Sequence, residues 1–211
     1  MRRIVFGSPR RISFWDTITS KILTINIVVF ILTSFSQSTF DLLALTPTTA
    51  IQNGMIWQFV SFMFVHANFA HIFFNMFSLL MFGPTIENRM GTKKYLIFYM
   101  FCGLGSGLFH ILITGLGDVP LVGASGAIFG VVTAYGLFFP RNVIYVYFVP
   151  MPAIVAIGLF ALIELFSGIS GAQAGVANFG HLGGMIIGLI LVKFFKFGKQ
   201  KEHTYFWESD W

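Results

Sequence analysis

Residues 121–130 read LVGASGAIFG and place a single hydroxyl, that of Ser125, between glycines in a long apolar run. Glycine leaves the backbone open to close approach by another segment of the chain. Serine and glycine are common where membrane helices pack, but a serine with open backbone around it also suits a nucleophile. The stretch alone fits both interpretations, and the rest of the sequence has to distinguish them.

The composition around this stretch is that of a membrane protein. Of the 211 residues, 56% are hydrophobic and 10% are charged, whereas soluble domains average about a quarter charged residues. Crossing the hydrocarbon core takes about 20 helical residues. Apolar segments that approach this length lie at about 18–35, 67–86, 95–115, 125–140, 143–166 and 178–197. We therefore predict an all-α, polytopic membrane protein with six transmembrane helices.

The charged side chains indicate the orientation of these spans. With a cytoplasmic N-terminus, every lysine and arginine falls in the inner tails and turns or in the inner end of an adjoining span, as the positive-inside rule requires. This predicts a basic cytoplasmic tail at 1–17, a six-helix membrane domain at 18–197 and a cytoplasmic tail at 198–211. A cleaved secretory signal is the alternative. Its removal would leave five spans and put the basic C-terminal tail at odds with the charge rule.

Several functional classes lack the residues that they need. Cys102 is the only cysteine, and the chain has neither zinc-ligand spacing nor a phosphate-binding loop. The net charge of +5 comes from cations at the ends of apolar segments, not from a basic face of a soluble domain. We therefore expect no metal, no cofactor, no nucleotide and no nucleic acid, and the lipid bilayer as the surroundings.

The connection between the first two spans, residues 36–66, is rich in apolar residues and nearly uncharged. A loop exposed to water does not have this composition. It either lies in the outer interface of the bilayer, where tryptophan and amphipathic segments are stable, or forms an ordinary packed outer loop. The sequence favours neither alternative.

Polar side chains inside apolar spans are expensive in a bilayer, so each is a candidate functional residue. Four of them share one depth near the outer ends of inward-running spans: His71 and Asn75 in span two, Ser125 in span four and His181 in span six. His71 and Asn75 are four residues apart and therefore lie on one helix face. A common depth for four polar residues favours a site over isolated packing contacts.

Small residues predict how spans four and six meet. Gly126 and Gly184 belong to faces of small residues that let membrane helices approach closely. If these faces meet, Ser125 and His181 come within hydrogen-bond reach, as nucleophile and general base of acyl transfer. Backbone N–H groups at the start of span four would then be available to an oxyanion.

No carboxylate is evidently placed to orient His181. Asp118 falls in an outer loop and Glu164 near the outer end of span five. We interpret Glu164 and His110 as structural residues, and His66 at the loop–helix junction as either structural or functional. A two-residue Ser–His arrangement is therefore the simpler prediction.

Taken in order, these motifs resemble those of the rhomboid intramembrane serine proteases. The matching pieces are HANFAHIFFN at 66–75, ENRMG at 87–91, GASG at 123–126 and GHLGGMIIG at 180–188. The resemblance covers about residues 18–192. Each motif is weak alone, whereas their order, helix placement and spacing together are highly specific.

The resemblance implies a six-helix bundle with a water-filled cavity open to the outer side. Ser125 would be the nucleophile and His181 the general base, with His71, Asn75 and the Ser125 N–H as the oxyanion hole. Loop 168–177 would form a mobile cap over the site. The substrates would be single-span membrane proteins, and the location a bacterial cytoplasmic membrane.

Two positions depart from the family pattern. Many members have Trp-Arg in the first loop, where this chain has Trp57-Gln58. Many also have a tyrosine four residues after the serine, where this chain has Phe129, which keeps the ring and loses only the hydroxyl. Residues expected to pack around the site are Gly123, Gly126, Phe129 and Gly184.

Two other functions remain open on the sequence. A catalytically weak or inactive rhomboid-like protein that binds membrane clients usually lacks one residue of the Ser–His pair, and this chain has both. A small channel or transporter would need polar residues that continue to the inner side. The inner halves of spans two, four and six are mainly apolar.

Overall fold

The computed structural model describes residues 13–146, 148–171 and 177–197. The tails at 1–12 and 198–211, and residues 172–176 of the predicted cap, lie outside the described residues. Helices in the described part are α1 (Ile18–Phe35), α2 (Gln37–Leu43), α3 (Pro47–Gln52), α4 (Gln58–Ser61), α5 (Phe69–Met90), α6 (Thr92–Thr114), α7 (Ser125–Phe138), α8 (Ala153–Ser170) and α9 (Asn178–Lys193). Two short 3-10 turns occur at Phe14–Asp16 and Phe62–Phe64.

The helices confirm the prediction of an all-α polytopic bundle. Among the described residues, α1, α5, α6 and α8 are the four helices long and apolar enough to cross a membrane. Helices α7 and α9 are apolar but shorter, with 14 and 16 residues. At 1.5 Å per residue, α7 is about 21 Å long, which is shorter than the hydrocarbon core.

The predicted start of span five is wrong. Residues 143–152 form an antiparallel hairpin of β1 (Val143–Val146) and β2 (Val149–Pro152), in which Val143 pairs with Pro152. Only at Ala153 does the helix begin. The segment is apolar, but β-branched and aromatic residues favour extended backbone, and Pro150 and Pro152 interrupt a helix. Hydropathy does not distinguish such a hairpin from a span.

Helices α6, α7 and α9 form the tightly packed centre of the bundle, and glycines set their spacing. A Cβ atom on Gly184 of α9 would overlap the backbone of Gly126 in α7. One turn further on, a Cβ atom on Gly188 would lie 2.9 Å from the carbonyl oxygen of Gly130. Side chains larger than hydrogen would therefore force these two helices apart.

The N-terminus of α1 is held by a carboxylate from α5. Glu87 Oε1 accepts the Ile18 N–H at 2.8 Å, and Oε2 accepts the Thr19 N–H at 2.9 Å and the Thr19 hydroxyl at 2.7 Å. N–H groups in the first turn of a helix have no partner within the helix. Glu87, which is 5% exposed, supplies that partner from another helix.

Further contacts show which helix ends lie together. The Arg89 guanidinium at the end of α5 lies over the Phe138 ring at the end of α7, 5.5 Å from its centroid. At the opposite end, Leu45 and Leu121 pair through their backbones and join the two loops there. Cations of the described part near the first end are Lys21, Arg89, Lys93, Lys94, Arg141, Lys193 and Lys196.

The connection 36–66 is a folded segment of short helices. Its centre is Gln58, whose side chain is fully buried. Gln58 Oε1 accepts the Thr46 N–H at 3.2 Å and the Thr49 hydroxyl at 3.1 Å, and Nε2 donates to the Asp41 carbonyl at 3.1 Å. Gln58, which departs from the family pattern, thus joins separate parts of this connection by hydrogen bonds. The depth of this loop in the bilayer stays a prediction.

We predict that Gly184→Ala destabilises the bundle, because the added methyl meets the Gly126 backbone, which has no rotamer by which to yield. Overpacking of this kind costs about 1–3 kcal/mol. Reversible unfolding in mixed detergent micelles measures it. Gly158→Ala in α8 is the matched control, since a Cβ atom there meets nothing within 4 Å. Equal stability of the two variants would contradict the role given to the glycine contact.

We also predict that Glu87→Gln lowers the free energy of unfolding by about 1–3 kcal/mol, because an amide cannot accept hydrogen bonds from the α1 N-terminus at both of its heavy atoms. The same unfolding titration measures this loss. Asp41→Asn serves as the control, because the Asp41 residue is exposed and, among the described residues, its carboxylate bonds only the exposed Gln37. A loss no larger than that of the control would show that Glu87 does not anchor α1.

Candidate active site

Gly123 sets the approach of the chain to Ser125. Its φ of +120° lies in the region that side chains other than glycine rarely adopt. A Cβ atom here would also lie 2.7 Å from the His71 ring, and the Gly123 N–H donates to the carbonyl of Phe62 at 3.0 Å. Both the turn and the close approach of α5 therefore require glycine at this position.

Ser125 and His181 meet at the start of α7. The Ser125 Oγ and His181 Nε2 atoms are 2.7 Å apart. Ser125 is the first residue of α7 and His181 the fourth of α9. The serine precedes Gly126 directly, and His181 lies three residues before Gly184, so the glycine contact between the two helices brings the hydroxyl to the imidazole.

Phe129 fixes one face of the imidazole. Its ring stacks on that of His181 with a centroid distance of 4.6 Å and an interplanar angle of 23°. Phe129 follows Ser125 by one helical turn, so α7 presents the hydroxyl and the ring to the same histidine. Phe160 of α8 supports Phe129 edge-on at 6.2 Å.

Possible donors to an anion line a cavity of about 780 Å³ that contains Ser125 and His181. His71 and Asn75 of α5 line the same cavity. Asn75 Nδ2 donates to the His71 carbonyl at 3.0 Å, and its second hydrogen remains for another acceptor. The first turn of α7 has no side-chain cap, which leaves its backbone N–H groups without a partner within the helix.

The expectation that no carboxylate lies beside His181 is wrong. Glu164 Oε1 lies 3.0 Å from His181 Nδ1. The angle between these groups falls short of a hydrogen bond, so the contact is electrostatic and not an aligned N–H···O bond. Glu164 Oε2 accepts from Asn178 Nδ2 at 2.7 Å. The sequence did carry a signal, because Glu164 is the only charged residue of its span and lies at about the depth of His181.

His66 packs behind the site. Its ring lies edge-on to that of His71 at 4.9 Å and is 2% exposed. Burial, and secondarily the nearby His71, lower the pKa of His66 to about 4. It is therefore neutral at pH 7 and supports the position of His71 without adding charge to the cavity.

The chain is similar to known proteins over this whole region. A family model described as the rhomboid domain matches residues 53–196. Rhomboid protease GlpG of Yersinia pseudotuberculosis serotype I (strain IP32953) is 30% identical over 176 residues, which cover 83% of this chain and 60% of that protein.

Shorter matches reach other relatives. Putative rhomboid protease YdcA of Bacillus subtilis (strain 168) is 35% identical over 85 residues, 40% of this chain and 42% of that protein. RHOMBOID-like protein 5 of Arabidopsis thaliana is 34% identical over 84 residues, 40% of this chain and 27% of that protein. The matches span less than two thirds of these relatives. The domain match covers more than half of the chain, and the protein is a member of the rhomboid family.

Proposed function

We propose that the protein is an intramembrane serine endopeptidase that cleaves single-span membrane proteins in or near their transmembrane segments. The observation that carries this proposal is the 2.7 Å contact between Ser125 Oγ and His181 Nε2 in a cavity of a membrane helix bundle. A hydroxyl bonded to an imidazole is the arrangement that activates serine for acyl transfer. The names of the relatives as proteases agree with it.

The reaction begins when His181 Nε2 takes the proton of the Ser125 hydroxyl as Oγ attacks the peptide carbonyl. The same nitrogen then returns the proton to the leaving amine, which departs and leaves an acyl-enzyme at Ser125. Water in the cavity, deprotonated by His181, attacks the ester and releases the second product. Ser125 recovers its proton from His181 at the end of the cycle.

The tetrahedral oxyanion forms beside the N-terminus of α7. The Ser125 N–H points out of an uncapped helix start, where the helix dipole also favours negative charge. His71 and Asn75 are the side-chain donors that α5 offers on the same cavity. Donors held in place before the reaction stabilise charge as it develops and do not have to reorganise.

A groove between α5 and α8 favours a membrane segment as the substrate. Both helices pack on α7 but have little contact with each other. An apolar cavity of about 440 Å³ lies on this side of α7, lined by α5, α7, strand β1 and Phe160 of α8. Ser78, Ile128 and Phe129 line both this cavity and the cavity of Ser125. An apolar segment lying in the groove would thus have its backbone close to the serine.

The orientation proposed from the charges is consistent with this scheme. The described lysines and arginines lie near the bundle end away from Ser125, so the positive-inside rule puts the site toward the outer side with both termini in the cytoplasm. We propose the bacterial cytoplasmic membrane as its location. Cysteine-accessibility labelling of introduced loop cysteines in whole cells measures this orientation.

We predict that Ser125→Ala lowers the cleavage rate of a fluorescent single-span substrate in proteoliposomes by at least about 10³-fold, because the nucleophile is lost. Labelling by a fluorophosphonate probe should disappear with it, and His181→Ala should lose both as well. Ser34→Ala is the control, since it removes an exposed hydroxyl of α1 that bonds the Phe30 carbonyl of the same helix and lines neither cavity. Undiminished cleavage by Ser125→Ala would refute the assigned nucleophile.

We further predict that Phe129→Ala lowers kcat by about 10-fold, because His181 loses the ring that restricts its rotation, whereas Phe129→Tyr keeps wild-type activity. The stacked ring also stabilises the imidazolium that forms on proton transfer. Steady-state cleavage by the two variants measures the effect. Val131→Ala, which trims a fully buried side chain of α7 that lines neither cavity, tests for general loosening; an equal loss in that variant would contradict the prediction.

A further inference from the structure

Glu164 stands apart from the rest of its helix. Helix α8 reads AIVAIGLFALIELFSGIS, and its other 17 residues are uncharged. Most of its large apolar side chains are exposed on the bundle surface, whereas Glu164 is 8% exposed and faces inward. A carboxylate inside a membrane span is costly unless it serves a purpose and has partners. The mechanism described above does not use it.

Within the described part of the chain, the partners of Glu164 belong to the start of α9. Oε1 lies 3.0 Å from His181 Nδ1, and Oε2 accepts from Asn178 Nδ2 at 2.7 Å. Asn178 is the first residue of α9, and His181 follows it by three, so both lie in the first turn on one face. The first turn has no side-chain cap, and its positive dipole end adds to the stabilisation of the carboxylate.

The position of Glu164 beside Nδ1 affects which ring nitrogen of His181 carries the proton. For Nε2 to accept the Ser125 proton, the neutral imidazole must carry its own proton on Nδ1. A carboxylate beside Nδ1 favours that tautomer, because it attracts an N–H there and repels a lone pair. The same negative charge stabilises the imidazolium after transfer. We propose that Glu164 positions His181 and fixes its tautomer, so that the catalytic unit is Ser125–His181–Glu164.

Other groups facing His181 do not perform this task. His71 of α5 and His110 of α6 are near enough to interact with it electrostatically, and positive charge on either would oppose the imidazolium. Phe129 of α7 contacts only its face. Among the described residues, Glu164 is the acidic side chain in contact with the imidazole. The charge that forms on His181 therefore has one counter-ion.

Activity is the first test, and it rests on the proposed protease function. Glu164→Gln keeps the side-chain size and removes the charge, and we expect kcat to fall by about 10- to 100-fold with KM changed less than about 2-fold. Fluorophosphonate labelling of Ser125 should slow by a similar factor. Glu164→Asp, which keeps a carboxylate, should recover at least several-fold of the lost kcat.

Two controls distinguish an effect of Glu164 on the position of His181 from a general loss of folded protein. Glu87→Gln removes the other buried carboxylate, far from His181, and should leave kcat unchanged at temperatures where the variant is folded. Unfolding titrations of each variant give the folded fraction for correcting the rates. A Glu164→Gln enzyme with wild-type kcat, or with a loss explained by unfolding or by KM alone, would overturn the proposal.

A second readout needs no substrate. In protein labelled with ¹⁵N-histidine, NMR reports which ring nitrogen carries the proton, and a His181→Gln sample assigns the signal. We expect the proton on Nδ1 in the wild type and a mixture of tautomers in Glu164→Leu. A wild-type proton on Nε2, or the same tautomer in both proteins, would overturn the positioning role. If this signature holds in a protein that cleaves nothing, the failure lies with the proposed protease function and not with Glu164.

Discussion

The backbones of α7 and α9 touch where Gly126 faces Gly184, and the geometry around Ser125 depends on that contact. Helices that pack through ordinary side chains keep their axes about 8–10 Å apart. A serine hydroxyl is too short to reach across such a gap to a histidine on the next helix. In a bilayer there is also no hydrophobic driving force between helices, so close van der Waals contact of small residues must supply the attraction. The glycines therefore hold the helices together and bring the side chains of Ser125 and His181 within hydrogen-bond reach.

With the helices at this spacing, His181 is restrained from three directions. Ser125 contacts one ring nitrogen, Glu164 lies beside the other, and Phe129 covers one face. The contacts come from α7 and α8 onto a residue of α9, so rotation of the imidazole would break at least one of them. Restricting a catalytic group before the reaction removes an entropy cost from the transition state. The position of the imidazole thus follows from packing among helices, not from a local turn motif.

Much of this arrangement is readable from sequence, because it depends on residue type and depth. The apolar run at 18–35 predicts α1 with its observed ends. The faces of small residues that contain Gly126 and Gly184 predict that helices α7 and α9 pack closely. Glu164 was missed as a partner of His181 for a physical reason. Helix α8 is apolar on every side, so its sequence carries no periodicity that says which face points inward. The short helices of the first loop were also beyond prediction, since the buried Gln58 side chain organises them through non-local bonds.

The two buried carboxylates among the described residues follow one physical rule. Glu87 of α5 binds the first turn of α1, and Glu164 of α8 lies against the first turn of α9. A buried charge would be costly in the membrane, but both carboxylates lie at the positive end of a helix dipole. Backbone N–H groups also donate to Glu87, and the Asn178 side chain donates to Glu164. They differ in what surrounds them, because Glu87 contacts backbone and a threonine, whereas Glu164 contacts an imidazole. A carboxylate that anchors the start of α1 thus has a counterpart at the start of α9, where it lies beside the imidazole that we propose as the general base.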